Sequence, residues 1–239
     1  MIFLAAVFVV AVMSGATASL VGFGIGSMLT PLLALQVGTD IAVAAVSLPH
    51  ALATAMRCWR LRASIDWSVL KRFGVLSALG GLAGALAYTT LDANQLTRVL
   101  GALLVVTATA QLSGLAARWH PRGVSVALLG VGSGFFGGIA GNQGGLRAAA
   151  LTAFGLAPIP FVATSTATGL LVDAARTPVY LFTAGGALAA LWLPISTATA
   201  GVVIGTLLGE RILFGMSRER FRIVVAASVG LLGLWLLAG

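Results

Sequence analysis

The sequence predicts an all-α, polytopic membrane protein of about eight membrane segments, arranged as two inverted repeats that each contain a broken or re-entrant glycine-rich helix. Three observations lead to this fold class. Of the 239 residues, 59% are hydrophobic and 8% are charged, whereas soluble domains carry roughly 25% charged residues. Mean hydropathy is +1.06. Glycine clusters interrupt two of the apolar segments at matching places. The composition excludes a soluble enzyme, a disordered chain and a disulfide scaffold.

The apolar segments are separated by glycine, proline and charged residues. They cover residues 2–35, 41–59, 67–91, 96–117, 124–154, 160–183, 188–213 and 221–237. At about 20 residues per crossing, the chain accommodates roughly seven to nine spans. We therefore expect one transmembrane domain over residues 1–239, whose apolar beginning is the first helix and not a removed signal peptide.

The first and fifth segments are too long for one straight span of about 20 residues. The first is interrupted at residues 21–26 by VGFGIG, and the fifth at residues 137–145 by GGIAGNQGG. Glycine costs about 1 kcal/mol in a helix interior, so each cluster predicts a helix break. Unwound backbone at membrane depth persists only where it is buried in protein or lines a polar cavity.

A shift of 119 residues superimposes the two breaks. The aligned pairs are Gly22 with Gly141, Gly26 with Gly145 and Arg57 with Arg176, followed after small gaps by Gly80-xxx-Gly84 with Gly201-xxx-Gly205. The repeats therefore cover about residues 1–117 and 118–239. Tandem repeats with interrupted helices in matching places are typical of transporters.

Charge predicts that the repeats are inverted. The loop after the second segment is basic, with Arg57, Arg60, Arg62, Lys71 and Arg72, whereas its counterpart at residues 183–190 is uncharged. Equivalent loops of opposite character belong on opposite sides of the membrane. If the broken segments are re-entrant hairpins, most basic residues lie on the cytoplasmic side of a bacterial inner membrane. Eight plain crossings remain the alternative.

The formal net charge of +8 follows from these basic loops and does not indicate a nucleic-acid partner. Cys58 is the single cysteine, which excludes a disulfide and a thiolate metal site. We expect no metal and no organic cofactor. The expected partners are the lipid bilayer and a small anion, with proton or ion coupling and a homodimer through small-xxx-small faces as further options.

Several motifs recur in a fixed order: a glycine-rich break, Pro31-Leu32-Leu33, an AVA-type helix start, Ile65-Asp66-Trp67 after the basic loop, and Gly80-xxx-Gly84. This order resembles the TauE/SafE family of membrane transporters, often called sulfite exporters. The resemblance implies a secondary transporter for the export or import of a small sulfur-containing anion, such as sulfite or an organosulfonate, and export is the direction we expect. The second copy departs from the family pattern where Asn142 and Gln143 replace apolar or glycine residues, where Arg147 enters an apolar stretch, and where Ala150 stands at the position of Pro31.

A helix that begins at mid-membrane presents free backbone N–H groups and the positive end of its dipole, which together favour an anion. Glycines allow close backbone approach. The predicted substrate-binding residues are Gly22, Gly24, Gly26, Gly141, Asn142, Gln143, Gly144, Gly145 and Arg147. The alternative is close helix packing, which we expect for Gly80, Gly84, Gly201, Gly205 and Gly209.

Each of the remaining polar residues in the segments has a functional and a structural interpretation. Arg147 binds substrate, snorkels to an interface or pairs with a carboxylate. Asp173 and Arg176, at i and i+3, form a structural ion pair or participate in coupling, with Asp173 carrying a proton. His50 relays a proton or is a hydrogen-bonded buried imidazole.

Two hydroxyls and one further arginine complete the candidates. Thr164 and Ser165 line the transport path or form interhelical hydrogen bonds, and Arg57 is expected as a boundary charge. The competing functions are an anion channel and, less favoured, an intramembrane hydrolase. The sequence contains no GxxxxGK[ST] loop, HExxH, GxSxG or carboxylate pair, so we expect neither an ATPase nor another enzyme.

Overall fold

The computed structural model describes residues 1–21, 24–114, 123–141, 144–152, 154–212, 223, 227, 230–231 and 233–238. Over these residues the predicted all-α architecture is confirmed, since they form helices and turns and include no strand. Among them, four helices are long and apolar enough to cross a membrane: Ile2–Ser19, Thr39–Ser64, Trp67–Tyr88 and Trp192–Gly209.

The helices follow one another with short connections. They are α1 (Ile2–Val21), α2 (Ile25–Val37), α3 (Thr39–Leu61), α4 (Trp67–Tyr88), α5 (Ala93–Leu112), α6 (Val124–Ala140), α7 (Gly144–Thr152), α8 (Pro158–Ala190) and α9 (Trp192–Ile212). A 3₁₀ turn at Arg62–Ser64 joins α3 to α4, and α4 contains a π-helical stretch at Leu70–Gly74. Residues 233–238 are also helical.

Local sequence explains where α4 and α5 begin. The Asp66 side chain accepts a hydrogen bond from Val69 N at 3.0 Å. At the start of α5, Asp92 and Gln95 form a capping box with bonds of 2.8 and 3.0 Å. Each cap satisfies backbone N–H groups that have no partner inside the helix.

The sixth predicted segment is longer than expected. α8 runs for 33 residues to Ala190, past the predicted end at residue 183, and Leu191 alone separates it from α9. Gly185 and Gly186 lie inside α8. A single pair of glycines need not end a helix where no water is available to replace the intrahelical hydrogen bonds of the backbone.

Both predicted interruptions are present. α1 ends at Val21 and α2 begins at Ile25, after Gly24 with φ +135°. α6 ends at Ala140, Gly141 is left-handed with φ +69°, and α7 begins at Gly144. α6 ends 119 residues after α1 ends. Likewise, α7 begins 119 residues after α2 begins, and α8 begins 119 residues after α3 begins. At about 1.5 Å per residue, α2 and α7 are too short to cross a hydrocarbon core of about 30 Å.

Close packing explains the glycines at two helix–helix contacts outside the breaks. α1 packs against α9, and α4 packs against α6. A Cβ added at Gly205 would overlap the carbonyl oxygen of Val12, and one added at Gly80 would overlap that of Val131. These faces are occupied within one chain, so they are unavailable for the homodimer that the small-xxx-small motifs suggested.

The same contacts correct the predicted alignment of the third helices. Gly205 faces Val12 and Gly80 faces Val131, which lies 119 residues beyond Val12. The contacts therefore favour pairing Gly80 with Gly205, one helical turn beyond the predicted Gly201. Glycine recurs every four residues in this part of α9, so the sequence pattern fits either register.

The centre of the fold is formed by α3 and α8, which pack against each other. α3 also packs on α2 and α9, and α8 packs on α4. Two apolar clusters surround this pair, one including Val43, Tyr88 and Tyr180, the other including Ile25 and Val46. The polar side chains that α3 and α8 bring between these clusters form the site described next.

Candidate functional site

Five basic or acidic side chains are buried at the centre of the described structure. Their exposed fractions are 6% for His50, 5% for Arg57, 2% for Arg147, 0% for Asp173 and 1% for Arg176. Arg147 therefore does not snorkel to an interface. Three buried arginines and one buried carboxylate give this part of the chain a cationic interior, which is costly unless charge is compensated.

Asp173 is the carboxylate at the centre of this group. Its Oδ1 accepts hydrogen bonds from Arg176 Nε at 3.0 Å and lies 2.9 Å from Arg176 Nη2. Its Oδ2 lies 2.6 Å from His50 Nδ1. The predicted i, i+3 ion pair and the predicted hydrogen-bonded imidazole are both present. Sequence reasoning missed that the same carboxylate bridges them, because His50 and Asp173 are 123 residues apart.

Arg176 also holds the end of α6. Its Nη1 donates to the carbonyl of Gly137, and the hydroxyl of Tyr180 donates to the carbonyl of Gly138. Both carbonyls lie in the last turn of α6, where backbone acceptors lack the usual donors from within the helix, and the Gly137 carbonyl also accepts from Gly141 N at 3.0 Å. A guanidinium at this place also opposes the negative end of the helix dipole.

Arg57 makes the corresponding contact in the first half of the chain. Its Nη1 donates to the carbonyl of Ala18, in the last turn of α1. Arg57 and Ala18 are 39 residues apart, as are Arg176 and Gly137. The expectation of a boundary charge was wrong, because Arg57 is 5% exposed and binds a helix end inside the protein. The repeat alignment with Arg176 was the signal that could have found this.

Arg147 lies on α7 and reaches α8. Its Nε donates to Ser165 Oγ at 3.1 Å. A Cβ added at Gly169 would lie 2.8 Å from Arg147 Nη1, so this glycine makes room for the guanidinium. Sequence reasoning missed Gly169, although it lies 119 residues beyond His50. Arg147 interacts electrostatically with Arg57, Arg176 and Asp173.

Thr164 and Ser165 have different roles. Thr164 Oγ1 accepts a hydrogen bond from Asp66 N at 2.9 Å, which is the interhelical interpretation of this residue. Ser165 instead contacts Arg147.

The first break leaves the beginning of α2 without a side-chain cap at Gly24. Gly26 lies buried in the first turn that follows. The predicted residue Gly22 lies outside the described residues, as do Asn142 and Gln143 in the second break. Gly144 and Gly145 form the beginning of α7.

The second break reaches the first half of the chain at Gly141. A Cβ added there would lie 3.5 Å from Thr30 Oγ1 on α2 and 3.6 Å from Arg176 Nη1 on α8. Thr30 is fully buried, and its hydroxyl has no hydrogen-bond partner in the described part of the chain. Sequence reasoning missed Thr30, which a turn-by-turn count of polar residues on α2 could have flagged.

Comparison with known proteins identifies the family. The model of the family described as Sulfite exporter TauE/SafE matches residues 7–236 of the 239. The chain has no significant match among curated proteins or among solved structures. Because the family match covers nearly the whole length of this polytopic chain, the protein belongs to the TauE/SafE family, whose members are integral membrane transporters and not enzymes.

Proposed function

We propose that this transporter exports a small sulfur-containing oxyanion, such as sulfite or an organosulfonate, and that the anion binds between the two helix breaks. One observation carries the proposal. The described residues bury Arg57, Arg147 and Arg176 but only one carboxylate, Asp173. An anionic substrate would compensate the excess positive charge, whereas a cation would add to it.

The helix breaks reinforce this preference for anions. At each break an arginine covers the negative carbonyl end of one helix, as Arg57 does for α1 and Arg176 does for α6. The short helix α2 follows the first break, and its N-cap residue Gly24 provides no side-chain cap. The positive end of the α2 dipole is therefore not compensated by a capping side chain. A tetrahedral or pyramidal oxyanion suits donors that converge from several directions.

The residues proposed to bind substrate are those of the two breaks and Arg147. They are Gly22, Gly24 and Gly26 from the first break, and Gly141, Asn142, Gln143, Gly144 and Gly145 from the second. The approach of Gly141 to Thr30 supports a shared site, since it brings the second break next to the helix that follows the first. Arg147 supplies a planar fork suited to two oxyanion oxygens.

We also propose that His50 and Asp173 couple export to protons. With Asp173 ionised beside Arg176, the proton between His50 Nδ1 and Asp173 Oδ2 belongs to the imidazole. His50 Nε2 can then bind and release a second proton. The imidazolium form adds positive charge next to the anion site, so protonation and anion binding favour each other. Two repeats moving around this fixed centre would alternate its access.

Transport into proteoliposomes tests the proposal. We would compare sulfite, an organosulfonate and a carboxylate, with and without a pH gradient, for the wild type, Arg147→Ala and Arg98→Ala. Arg98 is an exposed arginine on α5 and is the matched control. We expect saturable, gradient-dependent sulfur-oxyanion transport that Arg147→Ala reduces at least about tenfold and Arg98→Ala leaves unchanged. Equal transport by both variants would remove Arg147 from the site, and non-saturable flux would indicate a channel.

A further inference from the structure

Arg57 and Arg176 occupy equivalent places but have different counter-charges. Each donates to a carbonyl 39 residues earlier, at the end of the first helix of its half. Three residues before Arg176 is Asp173, whose carboxylate binds Arg176 at 2.9–3.0 Å. Three residues before Arg57 is Thr54, a neutral residue. The two arginines therefore make equivalent backbone contacts, but only Arg176 has a carboxylate three residues before it.

The hydrogen bonds of Arg57 are incomplete as a result. Its Nη2 reaches Thr54 Oγ1 only at 3.5 Å. Within the described part of the chain, its Nε is buried and has no hydrogen-bond partner, whereas Arg176 Nε donates to Asp173. Asp173 attracts Arg57 electrostatically, but its two oxygens already contact Arg176 and His50. A buried guanidinium in this condition is strongly disfavoured without an added anion.

Thr54 offers a second donor at the same place. Its Oγ1 lies 3.4 Å from His50 Nδ1. Because that ring nitrogen directs its hydrogen to Asp173 Oδ2 at 2.6 Å, it cannot also accept from Thr54. Among the groups that the structure describes here, the hydroxyl hydrogen of Thr54 therefore has no acceptor, and it can be donated to a bound anion.

We propose that the transported anion binds beside Arg57 in the position that Asp173 holds beside Arg176, with Thr54 as its second donor. This inference rests on the proposed function and adds Arg57 to Arg147 as a cation that the substrate contacts. Two oxygens on one sulfur atom present the same planar pair of acceptors to a guanidinium as the two oxygens of a carboxylate. In repeat 2 the counter-charge is the side chain of Asp173, whereas in repeat 1 the counter-charge is the bound substrate anion.

Thr54→Asp tests the proposal because it would supply repeat 1 with the carboxylate that repeat 2 has. Thr54→Asn is the matched control, with the same shape and no charge. Sulfite binding to the purified, detergent-solubilised protein would be measured by calorimetry, alongside the thermal unfolding temperature without anion. We expect Thr54→Asp to bind sulfite at least about 100-fold more weakly than Thr54→Asn, because only the carboxylate pairs with Arg57 and takes the place of the anion.

The thermal measurement separates this effect from misfolding. Thr54→Asp should unfold at or above the wild-type temperature without sulfite and gain no stability when sulfite is added. If Thr54→Asp does not fold, Arg57→Lys, which keeps the charge but loses the fork, should weaken binding at least about tenfold. Wild-type affinity in a folded Thr54→Asp or in Arg57→Lys would overturn the inference alone. Failure of the wild type to bind any sulfur oxyanion would overturn the proposed function and the inference with it.

Discussion

Replacing Arg57 or Arg176 with methionine removes the same backbone contact but a different charge partner. Arg57→Met removes the bond to the Ala18 carbonyl, and Arg176→Met removes the bond to the Gly137 carbonyl. A hydrogen bond from a charged donor contributes about 1.5–3 kcal/mol, and this loss is common to both variants. Only Arg176→Met also leaves Asp173, which is fully buried, with His50 as its remaining close partner.

The difference between the two variants therefore isolates the carboxylate. Breaking a buried pair by removing one partner costs about 3–5 kcal/mol. Arg57→Met additionally relieves an uncompensated buried cation, which offsets part of its loss. We expect Arg176→Met to lower the free energy of unfolding by at least about 3 kcal/mol more than Arg57→Met. The double variant Arg176→Met/Asp173→Asn should recover most of that difference, because the orphaned charge is gone.

Equilibrium unfolding in mixed detergent micelles without anion would measure these free energies. Equal losses for the two single variants, or no recovery in the double variant, would refute the assignment of Asp173 as the buried counter-charge of Arg176.

Three further predictions concern glycines. Gly84→Ala should lower the free energy of unfolding by about 1–3 kcal/mol, because its Cβ would overlap the Phe135 carbonyl, whereas Gly132→Ala, with open space around it, should be neutral in the same unfolding assay. Gly141→Ala should cost about 1–2 kcal/mol because its φ of +69° strains any L side chain, and a loss no larger than that of Gly132→Ala would contradict this. Gly169→Ala should raise the KM for anion transport several-fold with little effect on protein yield, because its Cβ would lie 2.8 Å from Arg147 Nη1; an unchanged KM would show that the guanidinium need not lie there.

Much of the helix plan was predictable because it depends on local chemistry. Glycine clusters in two overlong segments predicted breaks that the structure places at Gly24 and Gly141. Asp66 and Asp92 cap α4 and α5, as short polar residues before apolar runs commonly do. The end of α8 was missed, since glycine propensity measured in water overstates helix breaking where backbone bonds are shielded.

The site was predictable only in part. Asp173 and Arg176 are three residues apart, so a helix brings them together without further information. The burial of Arg57 and the space that Gly169 leaves for Arg147 depend on how helices pack, and neither is visible in a single segment. The 119-residue shift contained the relevant signal for Arg57, because Arg57 aligns with Arg176.

The sequence by itself determined that this chain lies in a membrane, that it is helical, and that two of its helices are broken by glycine. Those properties follow from run length, hydropathy and backbone conformational freedom, which act over a few residues. The tertiary structure alone decided which charges compensate one another. His50 meets Asp173 across 123 residues, and Arg57 meets the end of α1 rather than the membrane surface. Electrostatic energy depends on distance in space and on burial, and both quantities exist only once α3 and α8 have packed together.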